Sequence, residues 1–339
     1  MTEPTLFPFA DYWWLYGAFA AFVGVLLFLD LGVFHRKEHA VTFREAGMWT
    51  AVWVVLAMAF DVGLYLYLRH RLPHDPRFLG LEGFDPLATA RTAALEFLAG
   101  YVVEYSLSVD NIFVFVVVLA YFAVPAHLQH RVLFFGILGA LVFRAIFIAL
   151  GAALLGYHWV TWLFGGFLIV TGVRMMFAKD KGVEPEENAV IRLFRRMVPV
   201  TAEMQGKSFF VRLDGRRHAT PLFVSLLVLE MTDIVFAVDS VPAIFALTDE
   251  PFIVFSSNIF AILGLRSLYF LLKGAVDKFH LLKYGLGVVL VFVGLKMVWL
   301  NRAFGGHFPI VPSLAIIVGV IATSIVLSLL FPKAPEESR

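Results

Sequence analysis

No cysteine occurs in this chain. That excludes disulfides and thiolate metal sites, so any metal would meet oxygen or nitrogen donors. Charge is scarce as well: Asp, Glu, Lys and Arg make up 16% of 339 residues and nearly cancel to +1, which argues against a nucleic-acid partner. There is no phosphate loop, no nucleophile elbow and no H-E-x-x-H, so neither ATP use nor enzymatic catalysis is expected. The first hydrophobic stretch lacks a basic n-region and a small-residue cleavage site, and reads as a membrane helix rather than a leader.

What fills the chain instead is apolar: 60% of residues are hydrophobic, where soluble domains have about 45–50%. The expected fold class is an all-α polytopic membrane protein. Nine spans, each able to cross about 30 Å of hydrocarbon, fall near 12–34, 46–69, 91–122, 131–155, 159–178, 220–247, 252–272, 283–300 and 310–331. With the N-terminus outside, the loops assigned to the cytoplasm (35–45, 123–131, 179–219, 273–283 and 332–339) carry 18 Lys/Arg, and the opposite loops carry four, Arg69, Arg71, Arg77 and Arg302. The positive-inside rule therefore sets the N-terminus out and the C-terminus in. Thr248–Pro251 becomes a tight acidic turn on the outside.

Two acidic clusters interrupt the apolar runs. One reads Glu104-Tyr-Ser-Leu-Ser-Val-Asp110-Asn111, the other Glu230-Met-Thr-Asp233-Ile-Val-Phe-Ala-Val-Asp239-Ser240. A carboxylate at the centre of a membrane helix costs about 2.5–3.5 kcal/mol, so five of them cost on the order of 10 kcal/mol before pairing. A cation in transit is one compensation; Arg144 and Arg266, in the middle of two other spans, are another. In each helix Glu104/Asp110 and Asp233/Asp239 lie six residues apart, about 120° around a straight helix. Converging on one ion would take a kink or an unwound turn, and Pro242 offers one by displacing the Val238 carbonyl. Ser106, Ser108, Asn111, Thr232 and Ser240 add side-chain oxygens. Carboxylate, amide, hydroxyl and carbonyl donors suit Mg²⁺, Ca²⁺ or Mn²⁺. The candidate metal residues are Asp110, Asp239, Glu104, Asp233, Glu230, Asn111 and Ser240, with Arg144 and Arg266 as charge partners. The opposite readings are acids that only glue helices together, and arginines that bind an oxyanion or a small zwitterion. Arg174 and Lys296 lie near helix ends and are expected to snorkel. Asp30 is expected to pair with Arg36 or Lys37, and Asp61 lies where it could line an exit. His35/His39 and His70/His74 are weak metal signals, and Gly136, Gly139, Gly151 and Gly156 mark close helix packing.

The clusters belong to a longer repeat. Aligning Asp110 with Asp239 pairs Glu104 with Asp233 and Asn111 with Ser240; after a gap, Arg144 matches Arg266, Gly172 matches Gly294, Arg174 matches Lys296 and Met175 matches Met297. Each unit holds three spans, an odd number, so the second copy must run through the membrane in the opposite sense, as inverted-repeat transporters do. The organisation expected is an N-terminal two-helix segment (1–86, peripheral), a first repeat (87–178), a linker (179–219), a second repeat (220–300) and a C-terminal helix and tail (301–339). Within the linker, Asn188–Met197 has the pattern of an interfacial amphipathic helix, and Phe209–His218 that of a hairpin around Asp214-Gly215. This loop is also where a protein partner could dock if the chain were a stress-response scaffold.

These segments, with Phe209-Phe-Val-Arg through Ala219-Thr-Pro-Leu-Phe, Ser257-Asn-Ile-Phe-Ala-Ile-Leu-Gly-Leu-Arg266 and Leu31-Gly-Val-Phe-His-Arg-Lys37, closely resemble the TerC/Alx family of bacterial integral membrane proteins, from about residue 10 to 331. The resemblance implies a bacterial inner-membrane protein of a tellurite-resistance-type family linked to manganese efflux. It places the family's membrane acids on Glu104, Asp110, Glu230, Asp233 and Asp239. Asp61 departs from the pattern, where Asn or another polar residue is expected. The expectation is thus a secondary exporter of a divalent cation, Mn²⁺ first and Ca²⁺ next, driven by proton or sodium entry, with no cofactor and with the bilayer and the metal as its partners.

Overall fold

The computed structural model describes residues 5–29, 42–78, 81, 83–154, 157–177, 198–213, 215–273, 276–305 and 308–332. The amphipathic stretch 188–197, Asp30 with Arg36 and Lys37, His35, His39, Gly156 and Asp214 lie outside the described residues. Among the described residues, ten helices have eight or more residues: α1 (Phe9–Leu29), α2 (Phe43–Arg71), α3 (Pro86–Tyr121), α4 (Ala126–Leu154), α5 (His158–Phe177), α6 (Pro221–Phe245), α7 (Pro251–Leu263), α8 (Leu265–Leu272), α9 (Leu282–Leu295) and α10 (Ile310–Leu330).

Local chemistry sets their starts. Thr42 caps α2 by accepting the Glu45 N–H at 3.3 Å. Asp85 caps α3 by accepting the N–H groups of Leu87 and Ala88 at 2.9 and 3.1 Å, satisfying donors with no intrahelical partner. Pro86, Pro221 and Pro251 open α3, α6 and α7, where a missing N–H costs nothing.

Among the described residues, eight helices are long and apolar enough to cross a membrane; α9 is one of them, running on through a π turn at Lys296–Leu300 to Ala303. The expected span 252–272 is different. It is a broken pair, α7 and α8, bent by 41°. Gly264 sits at the break, and the Ser267 hydroxyl donates back to its carbonyl at 2.9 Å, the kind of Gly/Ser position at which helices bend. Periodicity could not show this, because the stretch is apolar on both sides of the glycine.

The membrane core is built from α3, α4, α6 and α7. α3 packs on α6 and α7, α4 packs on α6 and α7, and α5 packs along α9. α2 lies against α3 and α8, and α10 against α9 and α3. α5 and α9 are antiparallel and touch backbone to backbone. A methyl added at Gly172 would stand 2.5 Å from the Gly287 carbonyl oxygen, and one at Gly294 2.6 Å from that of Gly165. The two contacts exchange under the 122-residue shift from Arg144 to Arg266, since 165 + 122 is 287 and 172 + 122 is 294.

At one end of the bundle, β1 (Phe210–Leu213) and β2 (Arg216–Ala219) form the expected hairpin. Gly215 supplies the positive φ of 77° that its two-residue turn needs. Arg131 of α4 lies over the Phe209 ring, 5.2 Å from its centroid, and ties this cap to the bundle. At the opposite end, the chain before α1 is held by Glu250, which accepts the N–H groups of Leu6 and Phe7 at 2.7 and 3.4 Å. Arg77 bonds Asp75 at 2.8 Å, the Leu6 carbonyl at 3.2 Å and the Tyr12 hydroxyl at 3.2 Å. The acidic turn expected on sequence grounds is therefore a clamp on the N-terminal segment.

Candidate functional site

The predicted acids divide into three groups. Glu104 of α3 and Asp233 of α6 are both held by Arg144 of α4, which is fully buried. Its Nη2 donates to Asp233 Oδ1 at 3.2 Å, its Nε to Asp233 Oδ2 at 3.4 Å, and its Nη1 to Glu104 Oε1 and, at 3.1 Å, to Ser240 Oγ. Glu104 is 0% and Asp233 3% exposed. Two carboxylates thus share one guanidinium whose planar fork suits such a site.

Asp110 and Asp239 form the second group. With Asn111 and Ser240 they line a small cavity of about 20 Å³, closed by Leu107, Met175, Phe236 and Leu290. That is room for a single water-sized occupant. Asp110 and Asn111 come from α3, and Asp239 and Ser240 from α6, so the cavity takes equivalent residues from the two acidic clusters. Thr171 of α5 hydrogen-bonds Asp239, and Arg174 lies within electrostatic reach of it. Ser240 belongs to both groups: it accepts from Arg144 and faces the cavity.

Glu230 stands apart, outside the cavity. It lies against Gly139 of α4, where an added methyl would overlap its carboxylate. Among the described residues it has no hydrogen-bond or ion-pair partner, and its Oε2 is buried.

Several expectations change in consequence. The acids within one helix do not converge. α6 stays helical through Pro242, so the 120° offset stands and sends Asp233 to Arg144 and Asp239 to the cavity. Glu104, Asp233 and Glu230 do not line the cavity, and neither does Val238, which is 40% exposed on the outer face. The hydroxyls of Ser106 and Thr232 donate to carbonyls of their own helices at 2.6 and 2.8 Å. Among the described residues Arg144 joins Glu104 to Asp233, while Arg266 is buried at the start of α8, two residues past the Gly264 break. Lys296 does not snorkel: it is 3% exposed, in the π turn. Asp61 is half-buried in α2, with an Oδ1 that has no hydrogen-bond partner. Among the described residues no three Asp, Glu or His side chains converge as a metal cluster; what converges is two carboxylates with an amide and a hydroxyl.

One functional-looking residue escaped the sequence reading. Glu96 of α3 accepts the Thr248 hydroxyl at 2.6 Å, and Lys296 is within its electrostatic reach. Thr248 in turn accepts the Glu250 N–H at 3.2 Å, joining Glu96 to the clamp on the N-terminal segment. A lone acid in an apolar flank with no partner nearby in sequence gave no signal. At this end Arg77 holds the Asp75 carboxyl below its ordinary range, while burial pushes Glu250 up to about 7 against the opposing hydrogen bonds from Leu6 and Phe7. The hairpin end has an open cleft of about 730 Å³ between the end of α3, residues 200–204 and the start of α6; its one carboxylate is Glu203.

Comparison with known sequences places these features in context. Residues 89–336 match the sequence model of the integral membrane protein TerC family. The chain is 50% identical over 317 residues to an uncharacterized membrane protein of Myxococcus xanthus, covering 93% of this chain and 92% of that one. It is 42% identical over 316 residues to the putative membrane-bound redox modulator Alx of Escherichia coli K12, covering 93% and 94%. The protein of the same description from Photorhabdus laumondii is 41% identical over the same length, with the same coverage. No solved structure matches the chain.

Proposed function

The chain belongs to the TerC family of integral membrane proteins, and on that premise we propose that it is a secondary transporter exporting a divalent metal cation, Mn²⁺ first, against entering protons. The observation that carries the reading is the cavity shared by Asp110, Asn111, Asp239 and Ser240. Two carboxylates, an amide and a hydroxyl are hard donors for a divalent ion. Thr171 and Arg174 already bear on Asp239, and a divalent cation between Asp239 and Asp110 would stabilise the two charges in a site with little water. Arg144 balances one of the two charges on Glu104 and Asp233, and a divalent cargo would balance the two cavity aspartates. Arg144, filled by two carboxylates and a hydroxyl, has little left for an anion, which weakens the oxyanion and zwitterion reading.

Alternating access follows from treating 87–178 and 220–300 as inverted repeats with the cargo between them. The exchange of the Gly165–Gly294 and Gly172–Gly287 contacts under the repeat's own register supports that pairing. The basic loops favour an inner-membrane orientation with the hairpin end cytoplasmic. Relatives named as redox modulators fit such a role indirectly. This chain has no cysteine for thiol chemistry, and a change in the supply of a redox-active metal would act in its place.

The test is Mn²⁺ flux in proteoliposomes for wild type and Asp110→Asn/Asp239→Asn. Loss of flux of at least about tenfold in a double variant that still elutes as a folded monodisperse protein supports the cavity as the cargo site. Unchanged flux refutes it.

A further inference from the structure

Glu230 is the one acid of the two clusters that neither Arg144 nor the cavity takes up. It half-buries its carboxylate against the backbone of α4, in a seat that exists because residue 139 is glycine. Its Oε2 is buried without a hydrogen-bond partner among the described residues. A carboxylate left unpaired at such depth is costly while charged, and a proton removes that charge without needing a partner.

Its position links it to the cargo site. Glu230 lies one turn from Asp233 on the same helix, and Asp233 is the one charge that bears on it electrostatically. The elements packed on α6 carry Arg91, Glu96, Glu104 and Asp110 on α3, His127, His130, Arg131 and Arg144 on α4, His158 and Arg174 on α5, Lys283 on α9, and Arg216, Arg217 and His218 on β2; α7 carries none. With Glu230 ionised, Asp233 has a second negative charge one turn away on α6; with Glu230 neutral it does not. Arg144 also holds Ser240, which lines the cavity. Charge at Glu230 therefore reaches the cargo site through Asp233, Arg144 and Ser240, a continuous series of groups in contact or one turn apart. The register that aligns Asp110 with Asp239 puts Tyr101 opposite Glu230, so only one half of the site has this acid. That asymmetry gives an otherwise two-fold arrangement a direction.

We infer that Glu230 carries the coupling proton, a role that rests on the cation-export reading. An O–H bond forms on the Glu230 carboxylate by capture of a proton from water on one face. It breaks by release of that proton to water on the hairpin face, nine residues or about 13 Å along α6 from Asp239. No electrons move, and one proton crosses per carboxylate per cycle.

The experiment uses the full-length protein in proteoliposomes, with two readouts: Mn²⁺ exchange at equal pH on both sides, and Mn²⁺ accumulation driven by an imposed pH gradient. Glu230→Gln keeps the shape and removes the titration. Exchange within about twofold of wild type, with gradient-driven accumulation reduced to the no-gradient level, is the expected result. A pH dye trapped inside should at the same time lose its Mn²⁺-induced signal. Accumulation retained in Glu230→Gln overturns the proposal and leaves the cargo site intact. Exchange lost along with accumulation, in protein that remains folded, also overturns it, because Glu230 then serves the cargo path itself. If Glu230→Gln does not fold, Gly139→Ala is used. It displaces the carboxylate from its seat and should cut accumulation at least about fivefold while exchange persists; no such separation refutes the role. Wild-type protein that exchanges no Mn²⁺ under any gradient fails the cation reading itself, an outcome distinct from all of these.

Discussion

Arg144→Met is the sharpest test of how the bundle tolerates its acids. The change keeps an unbranched chain of similar reach and removes the guanidinium. Glu104, 0% exposed, and Asp233, 3% exposed, then lose their shared partner, and Ser240 loses a donor. Breaking a buried ion pair by deleting one member costs about 3–5 kcal/mol, because the remaining charge stays uncompensated. Here two carboxylates remain, so the expected loss is at the top of that range or beyond, unless the acids take up protons. The same reasoning predicts rescue. Arg144→Met combined with Glu104→Gln and Asp233→Asn removes all three charges and should recover all but about 1–2 kcal/mol, since neutralising a whole buried network is far cheaper than halving it. Denaturant or thermal unfolding in detergent micelles, comparing wild type, single and triple variants, measures both terms. A single variant within about 1 kcal/mol of wild type would show that Arg144 does not compensate these acids. A triple variant no better than the single would show that packing, not charge, is what Arg144 supplies.

Two further outcomes follow from the geometry. Gly172→Ala places a methyl 2.5 Å from the Gly287 carbonyl oxygen and forces α5 off α9, while Gly166→Ala has nothing within 4 Å; the first should cost about 1–3 kcal/mol in detergent unfolding and the second almost nothing. Glu250 should make the clamp on the N-terminal segment sensitive to pH: burial holds its folded value near 7, above the ordinary carboxylate value, so the folded form keeps its proton at pH values where the unfolded chain has lost it. Its contribution to stability is therefore greatest at low pH and falls as pH rises from the ordinary value towards about 7. The protection factors of the Leu6 and Phe7 amides, intrinsic over observed exchange rate at the same pH, should fall over that window in wild type, and Glu250→Gln should flatten the profile; an unchanged profile would remove Glu250 from the account.

The spans were legible because hydrocarbon imposes one rule on every helix: enough consecutive apolar residues to cross it. Eight came out within a few residues of their observed ends. Span 252–272 misled for the same reason, since apolar content does not register a bend at Gly264. The hairpin was legible from Gly215, whose conformation few other residues adopt. The site was legible in kind and not in detail. Asp110, Asn111, Asp239 and Ser240 do share a cavity, but sequence could not divide the acids between Arg144 and that cavity, because the division depends on how α3, α4 and α6 cross. Lys296 was misplaced because its distance from the helix end suggested a route to water, whereas the π turn and its packing against α5 close it. Glu96 and its link through Thr248 to Glu250 were invisible because their positions are 152 residues apart and neither has a partner in its own helix.

The six-residue spacing of the acids is the point where helix geometry and the proposed transport meet. A kinked helix could gather four acids around one ion, but it would create a deep charge trap, with nothing left to hold the bundle when the ion departs. Continuous helices separate the tasks. Glu104 and Asp233 keep Arg144 as a shared partner away from the cavity, so the junction of α3, α4 and α6 does not depend on what fills it. On the proposed cycle Asp110 and Asp239 meet the cargo and Glu230 the proton. Two carboxylates with an amide and a hydroxyl bind a divalent ion less tightly than four carboxylates would, and an exporter needs a site that can also let go. On this argument an added acid should slow turnover rather than help it: Asn111→Asp should tighten Mn²⁺ binding, measured by calorimetry on the purified protein, while lowering proteoliposome flux. Tighter binding together with faster flux would contradict the separation of roles.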